Sequence, residues 1–111
     1  MEFLDLVKQR YSVRAYESRP VEEEKLAYIL EAARLAPTGA NRQAFQLIVV
    51  HTKGRREEMN RLYRGEWFAD APIVICACAA PDYGLNTGIV MDHLLLAATD
   101  QGLGTCWIGA F

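Results

Sequence analysis

The sequence predicts one domain that mixes helices with buried strands, and three observations predict it. Residues 21–35 place Leu26, Ile29, Leu30 and Ala33 at helical spacing. Two apolar runs, residues 45–51 and 73–79, are short, continuous and bounded by turn residues, as buried strands are. The 111 residues suit one domain and not comfortably two, and half of them are hydrophobic, so a packed core is expected.

Each element follows from local chemistry. Residues 3–10 form a short amphipathic helix with Phe3, Leu6 and Val7 on one face. Residues 10–14 leave it as an extended strip, where alternation puts Arg10, Ser12 and Arg14 on one side. Two guanidiniums and a hydroxyl on one side suit a phosphate, although a solvated basic strand reads the same way. Pro20 precedes the helix of residues 21–35, whose first turn carries Glu22, Glu23 and Glu24, where the helix dipole favours negative charge. Pro37 stops that helix because it lacks an N–H and restricts the residues before it. In residues 36–43, Gly39 is expected to take backbone angles closed to other residues. Thr38, Asn41 and Gln43 supply donors and acceptors that can converge on a ligand edge, although plain helix-stop chemistry has the same composition.

Within residues 45–51, Leu47-Ile48-Val49-Val50 suggests burial on both faces. Residues 52–54 turn, and residues 55–62 read as a short charged helix with Met59 and Leu62 as its apolar positions. Trp67, Phe68 and Ala71 lead into Pro72 and the second strand. There Cys76 and Cys78 point the same way and read as small buried hydrophobes. Residues 81–84 break the strand, and Asn86 or Thr87 caps the next helix. Val90, Leu94, Ala97 and Ala98 mark one face of that helix, and Met91 and Leu95 widen it. Burial on every side at this chain length points to a partner subunit, and His93 reads as a satisfied interior residue. Gly102 and Gly104 end the helix, and residues 105–111 form a last strand or extended loop.

Composition narrows the function. A net charge of −2, from 12 basic and 14 acidic side chains, argues against nucleic acid or an anionic membrane as the main partner. Lys8, Arg10, Arg14 and Arg19 nonetheless cluster near the N-terminus and suit a small anion. No apolar run approaches the roughly 20 residues of a membrane span, and the acidic, amphipathic start is unlike a signal peptide. A cytoplasmic location is expected, and an odd cysteine count with no second ligand pair argues against disulfides and zinc. No catalytic triad, Walker loop or GxGxxG turn is present. Enzymatic chemistry here would come from a cofactor.

Three separated segments share one pattern. Arg10-Tyr11-Ser12-Val13-Arg14 resembles the R-x-S-x-R strip of the FMN-dependent nitroreductase family. Ala36-Pro37-Thr38-Gly39-Ala40-Asn41-Arg42-Gln43 resembles its A-P-[ST]-x-x-N-x-Q loop. Residues 94–98 running into Gly102-Leu103-Gly104-Thr105-Cys106-Trp107-Ile108-Gly109 resemble its L-L-A-A…G-L-G-T-x-W-I-G segment. The resemblance implies an α+β, three-layer fold with a central, mainly antiparallel sheet, in an intertwined homodimer. It implies FMN as cofactor, NADH or NADPH as donor, and ping-pong hydride transfer through flavin N5 to nitroaromatics, quinones or related electrophiles. It assigns the strip of Arg10, Tyr11, Ser12 and Arg14 to the FMN phosphate and ribityl chain. Pro37, Thr38, Gly39, Asn41 and Gln43 would come from the other subunit, and Trp107, Ile108, Gly109 and Ala110 would lie by the isoalloxazine ring.

The chain departs from that pattern at Ala44, where the family usually has Pro, and in the short link of residues 81–86. It also ends where the family normally continues, so the resemblance implies a single domain over residues 1–111 lacking the usual C-terminal part. Two other readings stand beside the reductase: a flavin-binding or flavin-handling protein without turnover, and a non-catalytic interaction domain that dimerises through residues 90–98.

Overall fold

A computed structural model describes residues 2–109. Its elements, in order, are α1 (Phe3–Gln9), α2 (Glu23–Arg34), a 3-10 turn at Gly39–Asn41, β1 (Phe45–His51), α3 (Arg56–Leu62), α4 (Glu66–Asp70), β2 (Ile73–Ala79), a 3-10 turn at Pro81–Tyr83, and α5 (Gly84–Asp100). The class is α+β: helices pack on an antiparallel sheet rather than alternating with parallel strands.

The core lies between α2 and α5. Ala33 and Ala36 meet Val90, which is fully enclosed at 0% exposure, with Phe45 and Leu47 of β1 against them. Further along, Ile29 meets Ala97 and Ala98, with Leu94 and Leu103 around them. Small alanines on both helices let the axes approach closely, and burying each larger aliphatic side chain contributes about 1.5–3 kcal/mol. Tyr28 ties the far end of this pair by donating to Asp100 at 2.8 Å, which raises the Tyr28 pKa.

β1 and β2 pair antiparallel from Phe45↔Ala79 to His51↔Ile73. Beyond the ladder, the Thr52 amide donates to the Pro72 carbonyl at 3.1 Å and its hydroxyl donates to the Ala71 carbonyl, so this buried polar residue is satisfied. Leu47 turns toward α5, but Ile48 is 49% exposed. The expected burial on both faces is therefore absent within one chain, because α2 and α5 supply a layer on one side only. The same geometry corrects the cysteines: Cys76 is half-buried and Cys78 is exposed.

Other expectations also change. Residues 66–70 form a helical turn that their mixed aromatic and acidic composition concealed. Neither Asn86 nor Thr87 caps α5, which begins at Gly84 after Tyr83 with no side-chain cap. Instead the Thr87 hydroxyl donates back to the Tyr83 carbonyl at 2.9 Å. His93 Nδ1 lies 3.1 Å from the Ile89 carbonyl, one helical turn back. α5 is not covered on every side: Val90, Ala97 and Ala98 are buried by the chain's own α2, while Leu85 is 83% exposed. Past α5, Thr105 forms a single parallel bridge to Ser12, and residues 106–109 form no strand; Phe111 lies outside the described residues.

Candidate functional site

The basic strip is shaped by what lies behind it. α1 stops when Arg10 turns extended (φ −65°, ψ 132°) while its amide still donates to the Leu6 carbonyl at 3.1 Å. Val13 then donates to the Thr105 carbonyl at 2.8 Å, beside the Ser12↔Thr105 bridge. The Tyr16 hydroxyl donates to the Val13 carbonyl at 2.6 Å, so both backbone groups of Val13 are held. Val13 is half-buried and Ser12 and Arg14 are exposed, but Arg10 is half-buried and Tyr11 is 68% exposed, so the expected alternation holds over residues 12–14 and not at residues 10 and 11. Among the described residues neither Arg10 nor Arg14 enters an ion pair, whereas Arg19, Arg34, Arg55 and Arg56 each pair with a carboxylate.

Tyr16 was not anticipated from the sequence. Its ring lies 6.1 Å from that of Trp67, and Trp67 meets Tyr63 at 5.3 Å. This aromatic cluster anchors the end of the strip to α4. Burial pushes the Tyr16 phenol up to about 12, Cys106 adds to the rise, and the Arg14 guanidinium opposes it. The hydroxyl therefore stays protonated and donating at neutral pH.

The Val13–Thr105 contact also carries the next segment in. Trp107 follows with its ring tip over α5, where a β-carbon on Gly88 would stand 3.5 Å from Trp107 Cη2. The rest of the indole is open, at 46% exposure. Ile108 is half-buried and Gly109 exposed; Ala110 lies outside the described residues. The Thr105 hydroxyl is buried beside Ser12 without a hydrogen-bond partner among the described residues.

The loop after α2 is built differently from expectation. Gly39 does not take the left-handed backbone region; Ala40, Asn41 and Gln43 do, each at φ 54°. Such angles cost roughly 1–2 kcal/mol for an ordinary L-residue, less for Asn, and they cluster at functional loops. Gly39 contributes its amide instead, donating to Asn86 Oδ1 at 2.8 Å. Inside the loop the Gln43 amide donates to Thr38 Oγ1 at 3.2 Å, and Gln43 Nε2 donates to Asn41 Oδ1 at 3.1 Å. The polar groups of Thr38, Asn41 and Gln43 are thus partly engaged with one another. Pro37 is exposed at the loop's start, and Arg42 at its end lies 5.5 Å from the Tyr83 ring centroid. An open depression of ≈ 520 Å³ adjoins the loop, lined by Gln43, Ala44, Phe45, Gln46, Cys78 and Ala79.

One chain therefore assembles the sequence-predicted residues into two groups. The strip of residues 10–14 joins the segment leading to Trp107 through Ser12 and Val13 at Thr105, while the loop of residues 37–43 joins α5 through Gly39 at Asn86. The loop reaches α5 at Asn86 and Trp107 reaches it at Gly88. Positions two apart on a helix are about 200° apart around its axis, so the loop and the Trp107 segment contact α5 from opposite sides.

A family model described as the nitroreductase family matches residues 7–72 and 53–111, which together span almost the whole chain. The chain belongs to the nitroreductase family. A relative from Methanothermobacter thermautotrophicus, whose name couples NADH dehydrogenase with NAD(P)H nitroreductase, is 31% identical over 119 residues. That match takes in 100% of this chain and 62% of the relative, so the nitroreductase-family sequence here spans less than two thirds of that protein. The crystal structure of a nitroreductase family protein from Clostridium novyi NT superposes with a TM-score of 0.90 at 31% identity, covering 100% of this chain and 71% of that one. A nitroreductase with bound FMN from Bacteroides fragilis gives a TM-score of 0.85 at 25% identity, covering 97% and 70%.

Proposed function

We propose that this nitroreductase-family chain is a single-domain, FMN-dependent NAD(P)H oxidoreductase working as a homodimer. The observation that carries the reading is the Val13–Thr105 hydrogen bond, which seats the Arg10-Ser12-Arg14 strip beside the Trp107 segment. The residues fit the cofactor. Two guanidiniums outside any ion pair among the described residues suit a phosphate, and a buried Thr105 hydroxyl without a partner lies next to Ser12. The half-exposed Trp107 indole suits a flat ring. The FMN bound by the Bacteroides fragilis structure, at 25% identity, supports FMN as the cofactor.

The chemistry the flavin supplies is hydride transfer through N5, from NADH or NADPH to a nitroaromatic, quinone or related electrophile, in ping-pong order. The chain's own work is binding and orientation. Arg10, Ser12 and Arg14, with Tyr11 between them, hold the phosphate and ribityl chain. Trp107 and Ile108 would flank the ring, with the Gly109 backbone following them toward it. Pro37, Thr38, Gly39, Asn41 and Gln43 wall the site of the neighbouring subunit, a role favoured by their place on the opposite side of α5 from Trp107. A dimer would also cover apolar surface that one chain leaves open: Phe3 at 68%, Leu4 at 62%, Leu35 at 64% and Leu85 at 83% exposure. A cytoplasmic setting, where reduced nicotinamide is at hand, completes the reading. Among the described residues no helix is long and apolar enough to cross a membrane.

The test is an absorbance spectrum of the purified protein, followed by anaerobic reduction with NADH and with NADPH. A flavin band bleached by nicotinamide and restored by a nitroaromatic or quinone is expected. Protein that is colourless and stays so after incubation with FMN overturns the proposal. A flavin band that neither nicotinamide bleaches would leave binding without turnover.

A further inference from the structure

We infer that Asn86 is a positioning residue for the site: its Oδ1 sets the loop of residues 38–43 in the conformation that walls the flavin. The inference rests on the reading that this loop lines an FMN site. Four observations support it. Ala40, Asn41 and Gln43 all sit at φ 54°, a region L-residues hold only when their surroundings enforce it. The loop's own side-chain hydrogen bonds, Gln43 to Thr38 and Gln43 to Asn41, brace it internally but leave its placement undecided. Among the described residues, the Gln43 carbonyl accepts from the Phe45 amide where the chain runs on into β1, and the side-chain hydrogen bond that joins the loop to a distant element is Gly39 N–H to Asn86 Oδ1, at 2.8 Å. Asn86 is not occupied as a helix cap, since α5 starts two residues earlier with no side-chain cap.

The neighbouring contact supports the same anchor. Arg42 lies over the ring of Tyr83, the residue that immediately precedes α5, so both ends of the strained segment meet the first turn of this helix. Tyr83 is itself buried, at 4% exposure, and forms a firm base. A rigid helix start thus positions a loop whose internal bonds cannot position it alone. What Asn86 contributes is an acceptor, so an aspartate can replace it and an alanine cannot.

The test is FMN titration, followed by quenching of flavin fluorescence, on the wild-type protein, Asn86→Ala and Asn86→Asp. Circular dichroism checks that each is folded at the temperature used. Asn86→Ala is expected to bind FMN about fivefold to tenfold more weakly, the scale of one lost hydrogen bond. Asn86→Asp should bind within about twofold of wild type, since one hydrogen bond is retained. Wild-type affinity in Asn86→Ala overturns the inference, as does an Asn86→Asp as weak as Asn86→Ala. If Asn86→Ala does not fold, Asn86→Asp decides alone: retained affinity supports the acceptor role and a tenfold loss refutes it. Failure of the wild-type protein to bind FMN would instead refute the flavin reading on which the inference rests.

Discussion

Val13 closes on Gly104 so tightly that a β-carbon at residue 104 would stand 2.9 Å from Val13 Cγ2 and 3.0 Å from Val13 Cβ. The absent side chain lets the Arg10–Arg14 strip lie against residues 104–105 and form its 2.8 Å hydrogen bond to Thr105. Gly104→Ala should therefore push Val13 away and carry Ser12 and Arg14 with it. Overpacking of this kind costs about 1–3 kcal/mol. We expect a lower midpoint in urea and weaker FMN binding together; an unchanged midpoint would show that the strip can yield without cost.

Arg14→Ala should weaken FMN binding by roughly 1–3 kcal/mol, the range for a hydrogen bond to a charged group, with Arg14→Lys in between because it keeps charge but loses the fork. Titration of apoprotein with FMN measures it. Mixed dimers give a second readout. If loop and strip of one chain serve different sites, pairing an Arg14→Ala chain with an Asn41→Ala chain leaves one site intact and one doubly damaged. Half the sites should then bind as tightly as wild type, whereas two singly damaged sites would place both segments in one site.

Tyr16 links stability to alkaline pH. Its phenol is raised to about 12 from an ordinary value of 10.0, chiefly by burial. The folded state then holds the proton more tightly than the unfolded state. Its contribution is complete below pH 10 and is lost as pH rises through about 12. Tyr16→Phe should lower stability by about 1–2 kcal/mol at neutral pH, because the part-buried Val13 carbonyl loses its donor. It should also flatten the fall in stability between pH 10 and 12. Denaturant midpoints at pH 8, 10 and 11 for both proteins check the size and the sign.

Ala40→Gly should stabilise the protein. Ala40 pays for its φ of 54° as an L-residue, and glycine does not. The gain is offset by the greater freedom of glycine in the unfolded chain, leaving roughly 0.5–1 kcal/mol. A rise in thermal midpoint with a looser loop, seen as weaker FMN binding, would separate the strain from the function it serves.

Val90→Ala should cost about 1.5–3 kcal/mol, because Val90 is wholly enclosed between Ala33, Ala36 and the sheet. Urea unfolding measures it. The loss should be the same across protein concentrations if the contact is internal to the chain. A concentration-dependent loss would place Val90 in a subunit interface instead.

How much the chain reveals before it folds differs from element to element. β1 and β2 were legible to the residue, because runs such as Leu47–Val50 and Ile73–Ile75 have no other comfortable state beside flanking turns. The cores of α2 and α5 were legible from helical spacing, as Ile29, Ala33, Val90 and Ala97 confirm. α4 was not, since a five-residue helix carries too few repeats to show a period. Asn86 was misread as a cap because a carboxamide at a helix start bonds whichever amide the tertiary structure brings to it, and here that is Gly39.

The strip and the loop at Arg10-Ser12-Arg14 and Pro37–Gln43 were visible as chemistry because their residue types and spacing are local properties. Their arrangement was not. That Val13 meets Thr105, that Tyr16 stands behind the strip, and that Asn86 and Gly88 send the loop and Trp107 to opposite sides of α5 are contacts between residues up to ninety-two positions apart. The sequence alone determined which segments can bind and which must be buried, through periodicity and side-chain chemistry. Only the tertiary structure decided which of them stand together, because long-range packing, with the steric room left by Gly104 and Gly88, has no signature in local sequence.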